Sequence, residues 1–301
     1  MKIDIKQEVK EAMKNNQAIV ALESTIISHG MPYPENFEMA QKVESIIRSE
    51  GAIPATIAII DGVIKIGLEK EELLSLSKNK DVLKVSKRDL GYCLSQNLTG
   101  ATTVSGTMIL ANLANIKVFA TGGIGGVHHE GANTFDISRD LEELGSVNIA
   151  VVCAGAKSIL DLALTLEYLE TKGVEVIGYK TDKLPAFYTK SSPHNVTYRL
   201  NSSKEIAALI KAKWEVTNGG VVIANPIPHE HSLDEKTINK TIEDAIEEAK
   251  EKGVSGKDTT PFLLAKIKEL TKGRSLEANL ELVYNNAKLA AKVAKELARL
   301  D

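Results

Sequence analysis

Short apolar runs alternate along this chain with stretches in which apolar residues recur every three to four positions, the signatures of buried strands and amphipathic helices. Residues 18–22 (AIVAL) form the first strand-like run and lead into a loop rich in Ser, Gly and Pro. Pro34 then opens a helical pattern that runs to Glu50 and is stopped by Gly51, with Pro just inside and Gly just past the helix. Runs at 55–60 and 63–67 flank Asp61-Gly62, a pair that tolerates positive φ and predicts a hairpin. A helix over 69–78 and a strand near 82–86 follow, and Gly100-Ala101-Thr102-Thr103 opens a helix through Leu113. Beyond it the pattern predicts strands at 117–120, 147–153, 174–179, 196–200 and 220–225, separated by helices over 136–144, 158–172 and 203–216. From about Leu233 the chain reads as helical, over 235–252, 261–271 and 276–300.

Strands alternating with helices of roughly ten to fifteen residues predict the α/β class: a mainly parallel sheet covered on both faces, with antiparallel pairing added at the hairpin. No internal repeat interrupts the alternation. The nearest thing to a boundary is the polar stretch 253–261, GVSGKDTTP, which is too short to mark a second domain, so one domain over 1–301 is expected.

Composition narrows the function classes. Lys and Arg number 37 against 40 Asp and Glu, for a net charge of −3. That balance offers no basic footprint for nucleic acid, and a small-molecule substrate is expected instead. The two cysteines, Cys93 and Cys153, form neither a CxxC pair nor a disulfide framework and suit a reducing compartment. The N-terminal MKIDIKQEVKEAMKNNQ is charged and amphipathic, without the apolar segment of a signal peptide. No apolar run reaches membrane-spanning length. A cytoplasmic protein with no membrane partner is the expectation.

In parallel sheets ligands bind at the carboxyl ends of strands, so the loops there hold the candidate chemistry. Glu23, in the loop ESTIISHG after the first strand, reads either as a general acid or as a loop brace. The turn TGGIGGVHH, 121–129, lacks the GxGxxG dinucleotide spacing. Its glycines permit close backbone approach to a ligand, with Thr121 and His128 beside it, or simply make a tight turn. Asp136 stands at the next helix start, as a cap or as a carboxylate for a hard cation. The stretch CAGAKS, 153–158, has Ala156 before its lysine and Val151 five residues earlier, so it fails as a Walker A loop. A lysine at a helix N-terminus opposes the helix dipole; that placement for Lys157 favours the neutral amine that attack on a carbonyl carbon requires, against the plainer reading of a solvated surface lysine, which the apolar strand before it weakens. GATTVSGT, 100–107, suits a phosphate at a helix N-terminus or plain capping, and Lys84 and Lys87 in KVSKRD supply positive charge or an exposed edge. His229-Glu230-His231 reads as a polar loop and Trp214 as core.

The strings ALESTIISHGMP, KVSKRD, GATTVSGTMI, FATGGIGGVH, TFDIS, VVCAGAKSILD, LPAFY and NPIP, in this order over nearly the whole chain, resemble the pseudouridine-5′-phosphate glycosidase family, also called the indigoidine synthase A-like family. The resemblance implies a three-layer α/β/α sandwich around a mainly parallel mixed sheet, assembled as a homotrimer. It implies reversible cleavage of the C–C bond of pseudouridine 5′-phosphate to uracil and ribose 5-phosphate, with a divalent metal, usually Mn2+. Position by position, it makes Lys157 the covalent nucleophile, Glu23 the proton donor and Asp136 the metal ligand. Lys84, Val104, Ser138, Arg139 and Asp140 fall around the sugar phosphate, and Thr121, His128 and Asn279 near the uracil ring; Arg139 stands where relatives vary, so its contact is expected through the backbone. Opposed to this are a sugar or nucleoside kinase, disfavoured by the missing Walker A loop, and a sugar-phosphate sensor, which needs no reactive lysine.

Overall fold

The alternation read from the sequence folds around a mixed sheet with eleven strands among the described residues. The computed structural model describes residues 2–254, 256 and 259–300, so part of the polar stretch 253–261 (residues 255, 257 and 258) lies outside the described residues. The first half runs β1 (Ile3–Ile5), α1 (Gln7–Lys14), β2 (Ile19–Leu22), α2 (Glu35–Ser49), β3 (Ile53–Ile60), β4 (Val63–Ile66), α3 (Lys70–Lys78), β5 (Leu83–Val85), α4 (Lys87–Ser95), β6 (Gly100–Thr102), α5 (Val104–Leu113) and β7 (Val118–Ala120). The second half runs α6 (Gly131–Thr134), α7 (Arg139–Leu144), β8 (Ala150–Cys153), α8 (Leu162–Thr171), β9 (Glu175–Tyr179), β10 (Tyr198–Leu200), α9 (Ser203–Val216), β11 (Val221–Ala224), α10 (Glu235–Glu251), α11 (Thr259–Leu270) and α12 (Arg274–Ala298).

The main strand order is β1-β4-β3-β2-β7-β8-β11-β9-β10, with β6 on β3 and β5 beyond it. The hairpin pair β3–β4 and the pair β3–β6 are antiparallel; the central ladder β3-β2-β7-β8-β11-β9 is parallel throughout. Parallel strands covered on both faces read as continuous apolar runs, and β8 and β11, AVVC and VVIA, are buried at every position. One helical layer is built on α12, which crosses β2, β7 and β8 and packs on α2 and α9. The opposite layer is centred on α5, which lies on β2, β3 and β4 and meets α4 and α7. The result is the expected three-layer α/β/α arrangement. Among the described residues no helix is long and apolar enough to cross a membrane.

Several expected boundaries move. Gly100–Thr102 is a strand, not a helix start, because Gly100 sits where a Cβ would meet Val85 Cγ2 at 2.4 Å, a strand-to-strand approach that only Gly allows. Helix α5 begins one turn later, with Thr103 Oγ1 accepting from Gly106 N. Lys87 opens a further helix, α4, capped by a reciprocal Ser86–Asp89 pair. Asp136 does not start a helix; Ser138 caps α7. The N-terminal stretch gains a three-residue edge strand, β1. Trp214 is half-buried rather than core, and its Nε1 donates to Gly219 O at 2.8 Å.

Candidate active site

Three adjacent parallel strands, β2, β7 and β8, end on the same edge of the sheet, and each is followed by a candidate group: Glu23, Thr121 and the loop bearing Lys157. Above that edge lies a cavity of about 720 Å³, a size suited to a nucleotide-sized ligand. Glu23, Lys84, Val104, Thr121, His128, Asp136, Ser138, Arg139, Asp140, Lys157 and Asn279 all line it. Residues scattered over more than 250 positions of sequence therefore share one wall.

Helix α8 begins at Leu162, with Asp161 accepting from Leu164 N, so Lys157 does not stand at a helix N-terminus and the dipole argument fails for it. The reason is local. Lys157 N–H donates to Ile124 O at 3.0 Å, Ile124 N–H to Gly155 O at 3.1 Å, and Asp161 N–H to Val127 O at 2.9 Å. These bonds lash segment 154–161 to the Gly-rich turn through a parallel bridge at Ile124–Ala156 and an antiparallel one at Val127–Asp161 and take up the backbone groups a helix would use. The turn's glycines answer to packing: a Cβ on Gly123 would meet Phe187 at 2.7 Å, on Gly125 Ser138 Oγ at 2.1 Å, and on Gly126 Thr165 Oγ1 at 2.4 Å. Gly155 is the strictest position, with φ +83° and a Cβ that would meet Pro185 O at 2.2 Å. Gly155→Ala is expected to lose roughly 3 kcal/mol of stability or more, read as a drop in Tm, and to displace the lysine loop.

Glu23 is buried and accepts a hydrogen bond from Thr121 Oγ1 at 2.5 Å. Burial pushes its carboxyl above the usual range; the Lys157 charge and the Thr121 hydroxyl pull the other way, and Asp140 adds to the rise. A carboxyl whose pKa is raised in this way is better matched to donating a proton. The imidazole of His128 is held below its ordinary value chiefly by burial, with Asp136 opposing and His129, Lys157 and Lys84 reinforcing.

One part of the cavity lining is basic. Lys84, Lys87, Arg88 and Arg139 line it beside Thr103 and Val104 at the start of α5. Buried Glu143 receives both Lys87 Nζ at 3.1 Å and Arg139 Nε at 3.0 Å, fixing two cations there. Asp140 is a brace here: its carboxylate accepts from Ser105 N at 2.9 Å and Gly125 N at 2.8 Å, tying α5, α7 and the Gly-rich turn together.

Other residues join the site without having stood out in the sequence. His29 lines the cavity with Nε2 buried and without a hydrogen-bond partner. Asn279, which the family resemblance already placed near the base, has its Oδ1 in the same condition, and an unpaired buried polar atom in a cavity wall marks a place for a ligand's polar group. Leu160, Phe187 and Leu264 give apolar walls. The pattern held no signal for His29, a single histidine in a polar loop.

Asp136 is exposed at the cavity mouth. Among the described residues no group of three or more His, Cys, Asp and Glu side chains converges to hold a metal ion. A single exposed carboxylate fits a hard divalent cation that keeps most of its water better than a closed zinc-type cage.

Residues 8–296 match the family described as indigoidine synthase A like protein. Relatives carrying the name pseudouridine-5′-phosphate glycosidase include one from Mycoplasmopsis agalactiae, 62% identical over 299 residues and 99% of each chain. Another, from Escherichia coli K12, is 57% identical over 300 residues, covering 99% of this chain and 96% of its own. Among solved structures, that of the prealnumycin C-glycosynthase AlnA in complex with ribulose 5-phosphate superposes with a TM-score of 0.92 at 35% identity, covering 100% of this chain and 98% of its own. An indigoidine synthase A-like protein from Thermotoga maritima gives 0.90 at 33% identity, over 99% and 97% of the two chains. Strand-end chemistry, fold and full-length similarity converge, and the chain belongs to the indigoidine synthase A-like family.

Proposed function

We propose that this chain, acting as one domain over 1–301, reversibly cleaves the C–C glycosidic bond of pseudouridine 5′-phosphate to give uracil and ribose 5-phosphate. The observation that carries the reading is the pairing in one cavity of a lysine, Lys157, with a buried carboxyl, Glu23, that holds the Thr121 hydroxyl and whose burial raises its pKa. The names of the relatives support it, as does the ribulose 5-phosphate held by the prealnumycin C-glycosynthase.

Ordinary glycosidases use two carboxylates to expel an oxygen or nitrogen; here the leaving atom is carbon, and protonating the ring oxygen alone does not release it. In the proposed sequence Lys157 Nζ bonds to C1′ while Glu23 gives its proton to the ring oxygen, so the C1′–O bond breaks and the sugar opens. The ammonium so formed at Lys157 gives a proton to the ionised Glu23 carboxylate, and the lone pair this frees on nitrogen drives cleavage of the C1′–C5 bond as C5 of uracil takes up that proton from Glu23. The resulting lysine iminium adds water and releases ribose 5-phosphate, and the amine is restored. Lys84, Val104, Ser138, Arg139 and Asp140 form the sugar-phosphate end, with Asp140 acting through its backbone contacts; Thr121, His128 and Asn279 face the base. Asp136 would hold a hydrated Mn2+, which supplies positive charge for a phosphate oxygen or an activated water. Nucleobase catabolism, a homotrimeric assembly and a cytoplasmic setting complete the reading, on the family resemblance.

Incubation with pseudouridine 5′-phosphate and Mn2+ is expected to release uracil and ribose 5-phosphate in equal amounts, followed by chromatography; no uracil, or ATP consumption instead, would refute the reading. Chelation should remove activity and added Mn2+ restore it. Asp136→Asn should raise the Mn2+ needed for half-maximal rate by roughly tenfold or more, measured by metal titration.

A further inference from the structure

The Lys157 arm and the Glu23 arm of the site are joined beneath the cavity floor by two asparagines, Asn225 and Asn286. Asn286, on α12, is completely buried. Its Nδ2 donates to Thr121 O at 2.8 Å and to Gly122 O at 3.3 Å. Its Oδ1 accepts from Asn225 Nδ2 at 3.0 Å. Asn225 follows β11, is itself buried, and donates its backbone N–H to Cys153 O at 2.8 Å. Cys153 is the last residue of β8, from which the Lys157 loop departs, and Thr121 is the residue that grips Glu23. One continuous path thus runs Cys153–Asn225–Asn286–Thr121–Glu23.

The local chemistry explains why side-chain amides stand here. At the carboxyl end of a parallel sheet the last carbonyls leave the ladder, and buried carbonyls left unpaired are costly. Asn286 supplies two N–H donors to adjacent carbonyls and an acceptor to Asn225, so its hydrogen-bonding capacity is used on three sides. A hydrophobic residue of the same volume would leave the Thr121 and Gly122 carbonyls unserved by α12. The β7 and β8 ends are bonded directly, Thr121 N–H to Val152 O at 3.0 Å and Ala154 N–H to Gly122 O at 2.8 Å; a satisfied buried polar network holds a single geometry, and this one adds a hold on the Thr121 peptide from the α12 side. Thr121 Oγ1 occupies one Glu23 oxygen, Oε1, which leaves the other to carry the transferable proton.

From this geometry we infer that Asn286, supported by Asn225, is a positioning residue: it sets the Thr121 hydroxyl that selects the proton-donating oxygen of Glu23 and registers that acid against Lys157. The inference rests on the glycosidase reading above and concerns two residues, Asn286 and Asn225, that stand outside the cavity lining and act through Thr121.

The test compares Asn286→Ser, Asn225→Ser, Thr121→Val and Thr121→Ser with the unaltered protein, measuring kcat, KM for pseudouridine 5′-phosphate, Tm and the pH dependence of kcat. Misplacing an acid by a fraction of an ångström to an ångström costs on the order of 10- to 100-fold in rate, so kcat of Asn286→Ser should fall by that factor with KM within about threefold. The Thr121 hydroxyl favours the ionised form of Glu23; when it is lost or displaced the alkaline limb of kcat moves to higher pH, alike in Asn286→Ser and Thr121→Val. Thr121→Ser should restore the limb. In the Thr121→Val background Asn286→Ser should add little further loss, the non-additivity of two residues acting through one bond. Asn225→Ser should move the same readouts in the same direction by less, and serves alone if Asn286→Ser does not fold. A lower Tm with an unmoved alkaline limb, or losses that multiply independently, would overturn the inference and leave a structural brace. Absence of turnover in the unaltered protein would instead refute the glycosidase reading.

Discussion

Lys157→Ala should lower the turnover of pseudouridine 5′-phosphate by at least ~10⁴-fold, the scale on which losing a covalent nucleophile is felt, while the protein stays folded. The fold should tolerate it because the loop is held by backbone bonds from Lys157 N and to Lys157 O, not by the amine. The basic part of the cavity lining, with Lys87 and Arg139 fixed on Glu143, is untouched, so ribose 5-phosphate should still bind within about tenfold of its original Kd by calorimetry. Loss of rate with retained product binding separates a nucleophile from a residue that merely completes a phosphate site. A Lys157→Ala protein retaining a tenth or more of the original rate would remove Lys157 from the chemistry.

Glu23→Gln should produce two effects of opposite kind. Removing a general acid lowers the rate by roughly 10²- to 10⁴-fold, and the alkaline limb of the pH profile should vanish with it. Stability should rise by on the order of 1 kcal/mol at pH 7, because Gln keeps an oxygen for the Thr121 hydroxyl without the penalty of burying an ionisable group. The sign follows from the direction of the shift. Burial holds the Glu23 carboxyl above its unfolded value, so its contribution to stability is intact below the unfolded carboxylate range, declines as pH rises through the folded value and is constant beyond it. The advantage of the Gln variant should therefore disappear near pH 4 and be complete on the alkaline side, seen as a pH-dependent difference in Tm. A Gln variant less stable than the original at every pH would mean that Glu23 is a structural brace, the alternative reading of its position.

Much of the fold was legible because the central strands are buried on both faces. Runs such as AVVC and VVIA admit few other readings once Gly and polar residues bound them, and Asp61-Gly62 forces the antiparallel turn between β3 and β4. What was not legible depended on contacts far apart in sequence. Gly100 is a strand residue because of Val85, and helix α8 starts late because the Gly-rich turn claims the backbone before Asp161. The site divides in the same way. Candidate loops follow from strand ends, and Glu23, Thr121 and Lys157 stand there. The path through Asn286 left only a faint sign, an amide among the buried positions of α12, which also include Ser275 and Asn279, and such a position marks a polar network without naming its partners. The expected role of the helix dipole at Lys157 failed for a physical reason: no helix begins there.

The central claim is that the C–C bond breaks through an adduct on one lysine, and it can be tested directly on the intact protein. With enzyme in excess over pseudouridine 5′-phosphate, borohydride quenching followed by peptide mass spectrometry should find reduced ribose 5-phosphate attached to the peptide containing Lys157, in proportion to the uracil released. Uracil release with that peptide unmodified, or the label on any other residue, would contradict the account.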